Sequence, residues 1–377
     1  MESPLITLQI PNRRRIGRIA QCCALVVSAA ALGLSPALAS ASTATTNADA
    51  LPGTVASVSC GDDVTASAIT PAHGFDPLTA TSAELAANNL PPRPTDGSAA
   101  ELATWTKFVT TYKPKPACAT ATSTSPAAQG GVDDHLAVKP AVGAQRESDS
   151  ANWSGNIADD ATYDSASATW ILPRPKGPSS GNAYSSQWVG IGQGRSSKYP
   201  LVQAGTEADS DDGGRLGTYY MWWEVVWPGG LPQKTIPEQV GPGNTIWVRI
   251  QVPAKCGYPT MTIENENTVQ GYSETYKHTS CPDGTAEWIY ERTEIGNNFP
   301  RLADAGVKFT SAEAASTKKG LTGIGNLPRY YSNMYNCTSA PDRELAAPGS
   351  ITDNGTVFTA AWKNYGNQSP AKTCSAW

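Results

Sequence analysis

Hydrophobic and polar residues alternate along short stretches of the chain from residue 148 onward. A two-residue period of this kind is typical of strands that bury one face. Gly, Pro and Asn turn signals separate the stretches, and no helical period of useful length occurs among them. The pattern predicts an all-β domain, a sandwich or a barrel, with strands in SATWILP, SSQWVGIG, YPLVQAGTEA, TYYMWWEVVWPGG, NTIWVRIQVP, TMTIEN, AEWIYERTE, VKFT and TVFTAAW.

Residues 40–147 have a different composition, dominated by Ala, Ser, Thr and Pro. Stretches such as ASASTATTNADA and ATATSTSPAAQGG contain too few apolar residues to fold alone. Between them, TSAELAANNL and DGSAAELATWTKFVTTY predict two short helices, the second with an apolar stripe of Leu102, Trp105, Val109 and Tyr112. This leader is either a disordered linker or a pro-segment that docks on the following domain and is later removed. The order of helices, low-complexity tether and compact domain favours the pro-segment.

The first 39 residues predict a secretory signal peptide. A basic stretch, NRRRIGR, precedes an apolar run from Cys22 to Leu34 and the small-residue site PALAS, which predicts cleavage after Ala39. The run is short for a membrane span, so we expect a secreted, extracellular monomer without a membrane contact once the signal is removed. The net charge is −5 and the basic residues cluster only here, which argues against a nucleic-acid partner. The predicted organisation is 1–39 signal peptide, 40–147 pro-segment with its tether, and 148–377 β domain.

Eight cysteines suit an oxidising compartment. Two belong to the signal peptide, and Cys60 and Cys118 lie in the leader. The four in the β domain allow three connectivities, of which Cys256–Cys281 and Cys337–Cys374 are favoured because each pair brackets a local excursion of the chain. The absence of C-x-x-C and H-E-x-x-H motifs argues against a metal site, and no cofactor is expected.

The stretch CPDGTAEWIYERTE, residues 281–294, places carboxylates on an apolar strand. Glu287 and Glu291 share one strand face, and Glu294 follows. Charged residues in strands ordinarily form a solvated face. Familiar nucleophile chemistry is scarce, since His278 is the only histidine of the β domain and no G-x-S-x-G or paired Asp-Thr-Gly elements occur. Catalysis by this domain would therefore depend on carboxylates, amides and hydroxyls.

Several segments, in order, resemble the signature segments of the glutamic peptidases, or eqolisins. They are NWSG (152–155), QWVGIG (187–192), LVQAGTEAD (201–209), YYMWWEVVWP (219–228), TAEWIYER (285–292) and TVFTAAWKN (356–364). The resemblance implies an antiparallel β-sandwich of two curved, concanavalin-like sheets with a substrate groove on the concave side. It also implies a catalytic pair, which falls on Gln203 and Glu287. Glu291 and Glu294 are then left to the solvated face, where replacing Glu291 would cost little.

The implied function is that of a secreted, acid-acting endopeptidase. A partly buried Glu287 would activate water directly and return the proton to the leaving amine, while the uncharged Gln203 amide would stabilise the oxyanion. Protein or peptide substrates would lie along Trp188, Tyr220, Trp222 and Glu224. The pro-segment would act as an intramolecular inhibitor, held over the groove by its apolar stripe and by attraction between its lysines and groove carboxylates including Glu207 and Asp209. Gly192 stands where family members often have Asp, which affects the expected substrate preference.

Two other functions use the same features. A β-sandwich with an aromatic, acidic groove also describes a non-catalytic carbohydrate- or peptide-binding module. A glycoside hydrolase would need two carboxylates about 5–9 Å apart, a spacing that Glu287 and Glu291 approximate on one strand. Cleavage of denatured protein in acid separates the peptidase from both alternatives.

Overall fold

A computed structural model of the chain describes residues 53–95, 97–121, 146–192, 199–227, 230–253, 256–278, 284–336 and 344–370. The signal-peptide prediction and most of the tether lie outside these residues. So do Cys281, Cys337 and Cys374. Cys256 is disulfide-bonded to a cysteine outside the described residues, and both predicted pairings stay predictions. None of the described helices is long and apolar enough to cross a membrane.

The described part of the leader contains three strands and two helices: β1 (Thr54–Gly61), β2 (Val64–Thr70), α1 (Ser82–Ala87), α2 (Ala99–Thr111) and β3 (Thr120–Ala121). The rest of the described chain is built from strands, with two 3-10 helices at Ile324–Asn326 and Asp353–Gly355. The strands are β4 (Arg146–Ser150), β5 (Trp153–Ala158), β6 (Tyr163–Ile171), β7 (Ala183–Tyr184), β8 (Ser186–Ile191), β9 (Leu201–Asp211), β10 (Arg215–Val226), β11 (Lys234–Ile236), β12 (Thr245–Gln251), β13 (Thr260–Asn265), β14 (Gln270–Tyr276), β15 (Ala286–Glu291), β16 (Asn298–Phe299), β17 (Arg301–Leu302), β18 (Val307–Ser316), β19 (Lys319–Gly323), β20 (Arg329–Tyr335), β21 (Glu344–Pro348), β22 (Phe358–Trp362) and β23 (Ser369–Pro370). The predicted all-β class is confirmed.

Most of the described strands form two mostly antiparallel sheets, and β16 and β23 form a separate pair. Sheet A has the order β1–β2–β14–β13–β12–β6–β18–β19. Sheet B has the order β3–β11–β10–β9–β8–β15–β5–β20–β4, and its last pair, β20–β4, is parallel. Strand β18 joins the sheets, since its first residues pair with β22 and the rest pair with β6. The result is a sandwich, as the sequence resemblance implied.

Side-chain alternation divides sheet B into two faces. Val189, Val202, Trp223 and Trp288 belong to the interior core shared with sheet A. The alternating residues point away from that core and form a second apolar cluster, which we call the site face: Trp153, Ile157, Trp188, Leu201, Trp222, Ile289 and Tyr330. One sheet therefore has aromatic residues on both faces, and the site face is the one available for function.

Both predicted leader helices are confirmed. The Thr81 hydroxyl accepts from the Glu84 N–H while the Glu84 carboxylate accepts from the Thr81 N–H, and Ser98 and Glu101 repeat this capping box at the start of α2. The reciprocal bonds satisfy N–H groups that a helix leaves free at its first turn. Trp105 is buried, and its indole N–H donates to the Pro91 carbonyl at 2.9 Å.

The leader strands β1 and β2 were not predicted. Val64, Ala66 and Ala68 are buried in alternation, but small residues make this period hard to distinguish from a low-complexity segment. Strand β2 pairs with β14 and so extends sheet A. A disulfide joins Cys60 and Cys118, both within the leader.

The expected position of α2 over the groove is wrong. Trp105 and Val109 pack with Leu85 and Leu90 of the leader and with Val269, in the turn between β13 and β14 of sheet A. The apolar stripe therefore lies against sheet A and not on the site face. The physical reason is that β14 offers an edge for β2 to pair with, and this pairing brings the leader to sheet A.

Candidate active site

The strand register of sheet B brings Gln203 and Glu287 into one row. Gly190 of β8 lies opposite Gln203 on one side and opposite Glu287 on the other, and Glu224 of β10 lies opposite Gln203. Cross-strand partners share a face, so the side chains of this central row all point to the site face. Two strand spacings separate the backbones of Gln203 and Glu287, which is about 10 Å. A gap of this size leaves room for a group between the amide and the carboxyl.

Gly190 supplies that gap. A Cβ atom placed on Gly190 would lie 3.2 Å from Glu287 Oε2 and 2.9 Å from both Leu201 Cδ1 and Trp188 Cζ3. The Glu287 carboxyl therefore leans over the bare backbone of the strand between it and Gln203. Sequence analysis did not identify Gly190 as part of the site, although a glycine inside an apolar strand signals that another group approaches the backbone closely.

The Gln203 side chain is held by Glu224. Its amide Nε2 donates to Glu224 Oε2 at 3.2 Å, and its Oε1 has no hydrogen-bond partner among the described residues. An amide nitrogen carries two hydrogens, so one N–H remains for a group in the gap. Glu224, predicted as a substrate contact, is thus placed to orient Gln203.

Thr285 contacts the Glu287 carboxyl directly. The Thr285 hydroxyl lies within hydrogen-bond distance of Glu287 Oε1 and 2.8 Å from the Gly192 carbonyl oxygen. A hydroxyl has one proton to donate, so it donates to Glu287 when that carboxylate is ionised. When Glu287 is protonated, the hydroxyl can accept from the acid and donate to Gly192. Thr285 can therefore satisfy both protonation states of Glu287.

The backbone of Gly192 has a conformation that residues with a side chain rarely adopt. Its φ is +123°, and a Cβ there would overlap the Pro200 carbonyl oxygen. The Asp common at this position in the family would not fit this backbone. Gly192 instead places its N–H 3.1 Å from the Thr285 carbonyl oxygen, which fixes the residue that contacts Glu287.

The four predicted substrate-binding residues share the site face. Tyr220, Trp222 and Glu224 alternate along β10, and Trp188 lies on β8 in the row next to the central row. Trp188 and Trp222 are buried in the site-face cluster, and Tyr220 is partly buried at its edge. Trp223 is in the core on the other face, whereas Trp227 at the end of the strand is 40% exposed. These aromatic side chains therefore lie on one side of the Gln203–Glu287 gap.

The solvated-face interpretation of Glu291 is wrong. Its side chain is 3% exposed and accepts hydrogen bonds from Asn152 Nδ2 at 3.1 Å, Trp153 Nε1 at 3.2 Å and Trp188 Nε1 at 2.6 Å. Burial raises the pKa of Glu291 to about 8, although the indole N–H groups act in the opposite direction. Glu291 fixes the two indole rings beside the gap, so its replacement is expected to cost stability. Glu294 is half-buried.

Glu207 and Asp209 form a buried pair of acids on the site face. Thr293 Oγ1 donates to Glu207 Oε1 at 2.8 Å, and the Ser185 N–H lies 3.4 Å from Asp209 Oδ1. Burial raises the pKa of Glu207 well above its usual range and that of Asp209 to about 7. The expectation that these carboxylates attract leader lysines at the surface is therefore wrong, because both are buried.

The site is closed in the intact chain. Gln203 and Glu287 are both 0% exposed, although they point away from the sandwich core. A peptide cannot reach either side chain in this arrangement.

The chain is similar to known peptidases. A model of the "Peptidase A4 family" matches residues 151–346, just over half of the chain. A search of curated proteins found no match.

Solved structures that match the chain include scytalido-glutamic peptidase with a peptide-based transition-state analogue, at 23% identity and a TM-score of 0.46 over 56% of this chain and 98% of that one. SCP-B of the eqolisin family, in a complex with the tripeptide Ala-Ile-His, is 22% identical with a TM-score of 0.45 over 56% and 98% of the two chains. Aspergilloglutamic peptidase from Aspergillus niger is 23% identical with a TM-score of 0.39 over 48% and 99%. The family match, which covers the central row, the site face and most of both sheets, confirms the resemblance seen in the motifs: the chain belongs to the Peptidase A4 family of glutamic endopeptidases, the eqolisins.

Proposed function

We propose that the protein is a secreted endopeptidase that acts in acid, with Glu287 and Gln203 as its catalytic residues. The observation that carries this proposal is the central row, in which Gly190 leaves a gap between a buried carboxyl and a buried amide. Such a gap accommodates the two participants of hydrolysis, a scissile carbonyl and a water molecule. No nucleophilic side chain or cofactor is needed for this chemistry.

The reaction begins with Glu287 ionised. Its carboxylate removes a proton from water as the water oxygen attacks the carbonyl carbon, and the carbonyl oxygen becomes an oxyanion. The free N–H of Gln203 donates to that oxyanion, and Glu224 keeps the amide oriented. The protonated Glu287 then gives its proton to the leaving nitrogen as the C–N bond breaks. The products are a carboxylic acid and an amine, and Glu287 is again ionised.

An acid working range suits these groups. The Gln203 amide stays uncharged and keeps its donor at any acid pH, so oxyanion stabilisation does not depend on a titrating cation. The Thr285 hydroxyl serves the ionised form of Glu287 as a donor and the protonated form as an acceptor. Substrate side chains would bind against Trp188, Trp222 and Tyr220, whose flat faces give apolar subsites beside the gap.

The glycoside-hydrolase alternative needs Glu291 as a second working carboxylate. Both oxygens of Glu291 are already engaged by Asn152, Trp153 and Trp188, and its burial leaves little access for water. Glu291 is better suited to holding the indole rings in place. Binding without catalysis does not require the gap over Gly190 between Gln203 and Glu287. Membership of the Peptidase A4 family also favours peptide hydrolysis.

The intact chain would be an inactive precursor. Its catalytic residues, Gln203 and Glu287, are fully buried, so a peptide bond cannot reach them before the chain is processed. The Cys60–Cys118 disulfide supports passage through an oxidising compartment, as secretion requires.

The function is tested by expressing the full chain, collecting the medium and incubating it with denatured protein at pH 3–6. Appearance of substrate fragments in the wild-type sample and their absence with Glu287→Gln supports the proposal. Undigested substrate throughout this range, after the tether has been cut, contradicts it. A panel of oligosaccharides in the same buffers tests the other two functions.

Thr285 is expected to be a positioning residue for Glu287. Thr285→Val removes the donor to the ionised carboxylate, so Glu287 becomes harder to ionise and the acid limb of the kcat/KM–pH profile moves to higher pH. We expect kcat/KM at acid pH to fall by about tenfold to a hundredfold, since one charge-assisted hydrogen bond is worth about 1.5–3 kcal/mol. Thr285→Ser keeps the hydroxyl and should restore both the rate and the profile. An unshifted acid limb in Thr285→Val would contradict this role.

A further inference from the structure

The outer face of sheet A, which points away from the sandwich core, has the composition of a water-facing surface. On β6, β12, β13 and β14 it includes six residues besides Arg249: Ser167, Thr169, Trp247, Thr262, Glu264 and Ser273. Small hydroxyl residues and an acid are typical of the solvated side of a sandwich. Yet all six side chains are buried. Leader residues lie against Thr169, Glu264 and Ser273 of this face. Because its polar side chains are shielded from water in the intact chain, we interpret the outer face of sheet A as a docking surface.

Direct contacts join the leader to this surface. The Arg249 guanidinium donates to the Ala86 carbonyl of α1, and Asn89 Nδ2 lies 3.4 Å from Ser273 Oγ. The Tyr112 hydroxyl occupies the space where a Cβ of Gly271 would be. At the sheet edge, β2 pairs with β14, and the Ala119 N–H donates to Glu274 Oε1 at 2.9 Å. The leader is thus held by many contacts over a broad area.

Two glutamates are sealed under the leader. Glu264 and Glu266 are each about 1% exposed, and one oxygen of each has no hydrogen-bond partner among the described residues. Glu266 lines a cavity of about 80 Å³ together with Glu101 of α2 and Lys308 of β18. Glu264 lies near Tyr112 of the leader, and Tyr112 also interacts with Tyr272 and Glu238. Lys308 is therefore the only described cation that lines the cavity, against two carboxyls.

Burial favours the neutral, protonated form of Glu264 and Glu266. It raises the pKa of Glu264 well above its usual range, with repulsion from Glu266 adding to the effect. It raises the pKa of Glu266 to about 8, with a further contribution from Glu101. Both are neutral while the leader covers them in acid. In water, without the leader, each would ionise in the ordinary carboxyl range.

Within the described residues, the polypeptide backbone is the only covalent connection between the leader and the rest of the chain. Both leader cysteines, Cys60 and Cys118, pair with each other. A single cut between β3 and β4 would leave residues 53–121 held by the contacts described above and by nothing covalent.

We propose that residues 53–121 are a detachable module: after such a cut the leader stays bound to the outer face of sheet A in acid and leaves as the pH approaches neutrality, with Glu264 and Glu266 as the groups that respond. The processed protein in acid is then a two-chain complex whose leader covers sheet A and adds the short strand β3 to the edge of sheet B, away from the central row. This inference does not depend on Gln203 or Glu287.

The direction of the pH effect follows from where the protons bind. The docked state holds protons on Glu264 and Glu266 over a pH range in which the separated domain has released them. Docking is therefore strongest below the ordinary carboxyl range and weakens as pH rises toward about 8. Each tenfold change in acidity across this range weakens docking by up to about tenfold per glutamate.

The test uses the full chain carrying Glu287→Gln, so that it cannot digest itself, with a site for a sequence-specific protease inserted between residues 121 and 146. After cutting, size-exclusion chromatography is run at pH 4.5 and pH 7.5, and near-ultraviolet circular dichroism monitors the folded domain. We expect one two-chain peak at pH 4.5 and two separate peaks at pH 7.5, with the dissociation constant rising by at least about a hundredfold. The domain should keep its spectrum at both pH values.

Two variants decide whether the named glutamates are responsible. Glu264→Gln/Glu266→Gln should keep the two chains together at pH 7.5. Asp304→Asn, a half-buried acid beside Lys176 and Tyr365, should release its leader like the parent. Separation of the parent at pH 4.5, its co-elution at pH 7.5, or loss of the domain spectrum at pH 7.5 would overturn the proposal. Separation of the leader from the Glu264→Gln/Glu266→Gln domain at pH 7.5, as in the parent, would also overturn the proposal.

Discussion

Glu287→Gln is expected to lower kcat by at least about a thousandfold while leaving the fold intact. The substitution removes the base that activates water and the acid that protonates the leaving nitrogen, and general acid–base catalysis contributes about 10²–10⁴-fold. Gln has nearly the same size as Glu, so the side chain at position 287 still fills the space over Gly190. The measurement is kcat after the tether has been cut, together with the thermal unfolding temperature.

Gln203→Ala is expected to lower kcat by about 10²–10³-fold, the usual loss when one oxyanion donor is removed. Its partner Glu224 loses a donor as well, so a modest loss of stability is expected. Because the two residues act on one transition state, the double variant should lose less activity than the product of the single losses.

Matched controls come from the same two sheets. Glu313→Gln replaces a partly buried glutamate of sheet A, and Gln187→Ala removes a buried amide on the core face of sheet B. Both change stability, but neither side chain faces the gap, so kcat should remain within about threefold of wild type, a change of less than 1 kcal/mol in the barrier. Activity near wild type in Glu287→Gln, or a thousandfold loss in Gln187→Ala, would contradict the assignment of the catalytic pair.

Alternation along strands made the site face predictable. Tyr220, Trp222 and Glu224 were placed on one face of their strand from sequence, and the structure places all three on the site face. The pair Gln203 and Glu287 came from the family motifs, and the register across Gly190 explains why two segments more than eighty residues apart meet. Helix caps at Thr81 and Ser98 were likewise visible as local sequence.

Burial of polar groups was not predictable in the same way. Glu291 was assigned to solvent because a carboxylate on a strand usually is, but two indoles and an amide from other strands surround it. The sequence favours a leader that docks on the following domain but places its helix over the groove, whereas in the structure the leader pairs with and packs against sheet A. Both outcomes depend on contacts between distant segments, which local composition does not contain.

The folded protein is expected to lose several kcal/mol of stability as pH rises from 5 to 8. Burial raises the pKa of Asp209 from 3.8 to about 7 and that of Glu291 from 4.5 to about 8, and it raises that of Glu207 in the same direction. The folded chain therefore holds protons that the unfolded chain has released. Stability from these groups is fully present below the ordinary carboxyl range and is lost as pH rises through about 7–8.

Asp209→Asn tests the origin of this slope. Each buried acid with a raised pKa makes the unfolding free energy fall by up to about 1.4 kcal/mol more per pH unit. A neutral amide at position 209 should therefore reduce the fall in unfolding free energy between pH 5 and 7 by about that amount per pH unit. The measurement is urea unfolding of the Glu287→Gln protein at several pH values, which excludes self-digestion. Asp211→Asn, exposed at the end of the same strand, should leave the slope nearly unchanged. Stability that stays constant or rises from pH 5 to pH 8 would contradict the buried acids as its cause. The expected loss also means that the site face, which carries Glu207, Asp209 and Glu291, keeps its arrangement best under the acid conditions in which Glu287 and Gln203 are proposed to work.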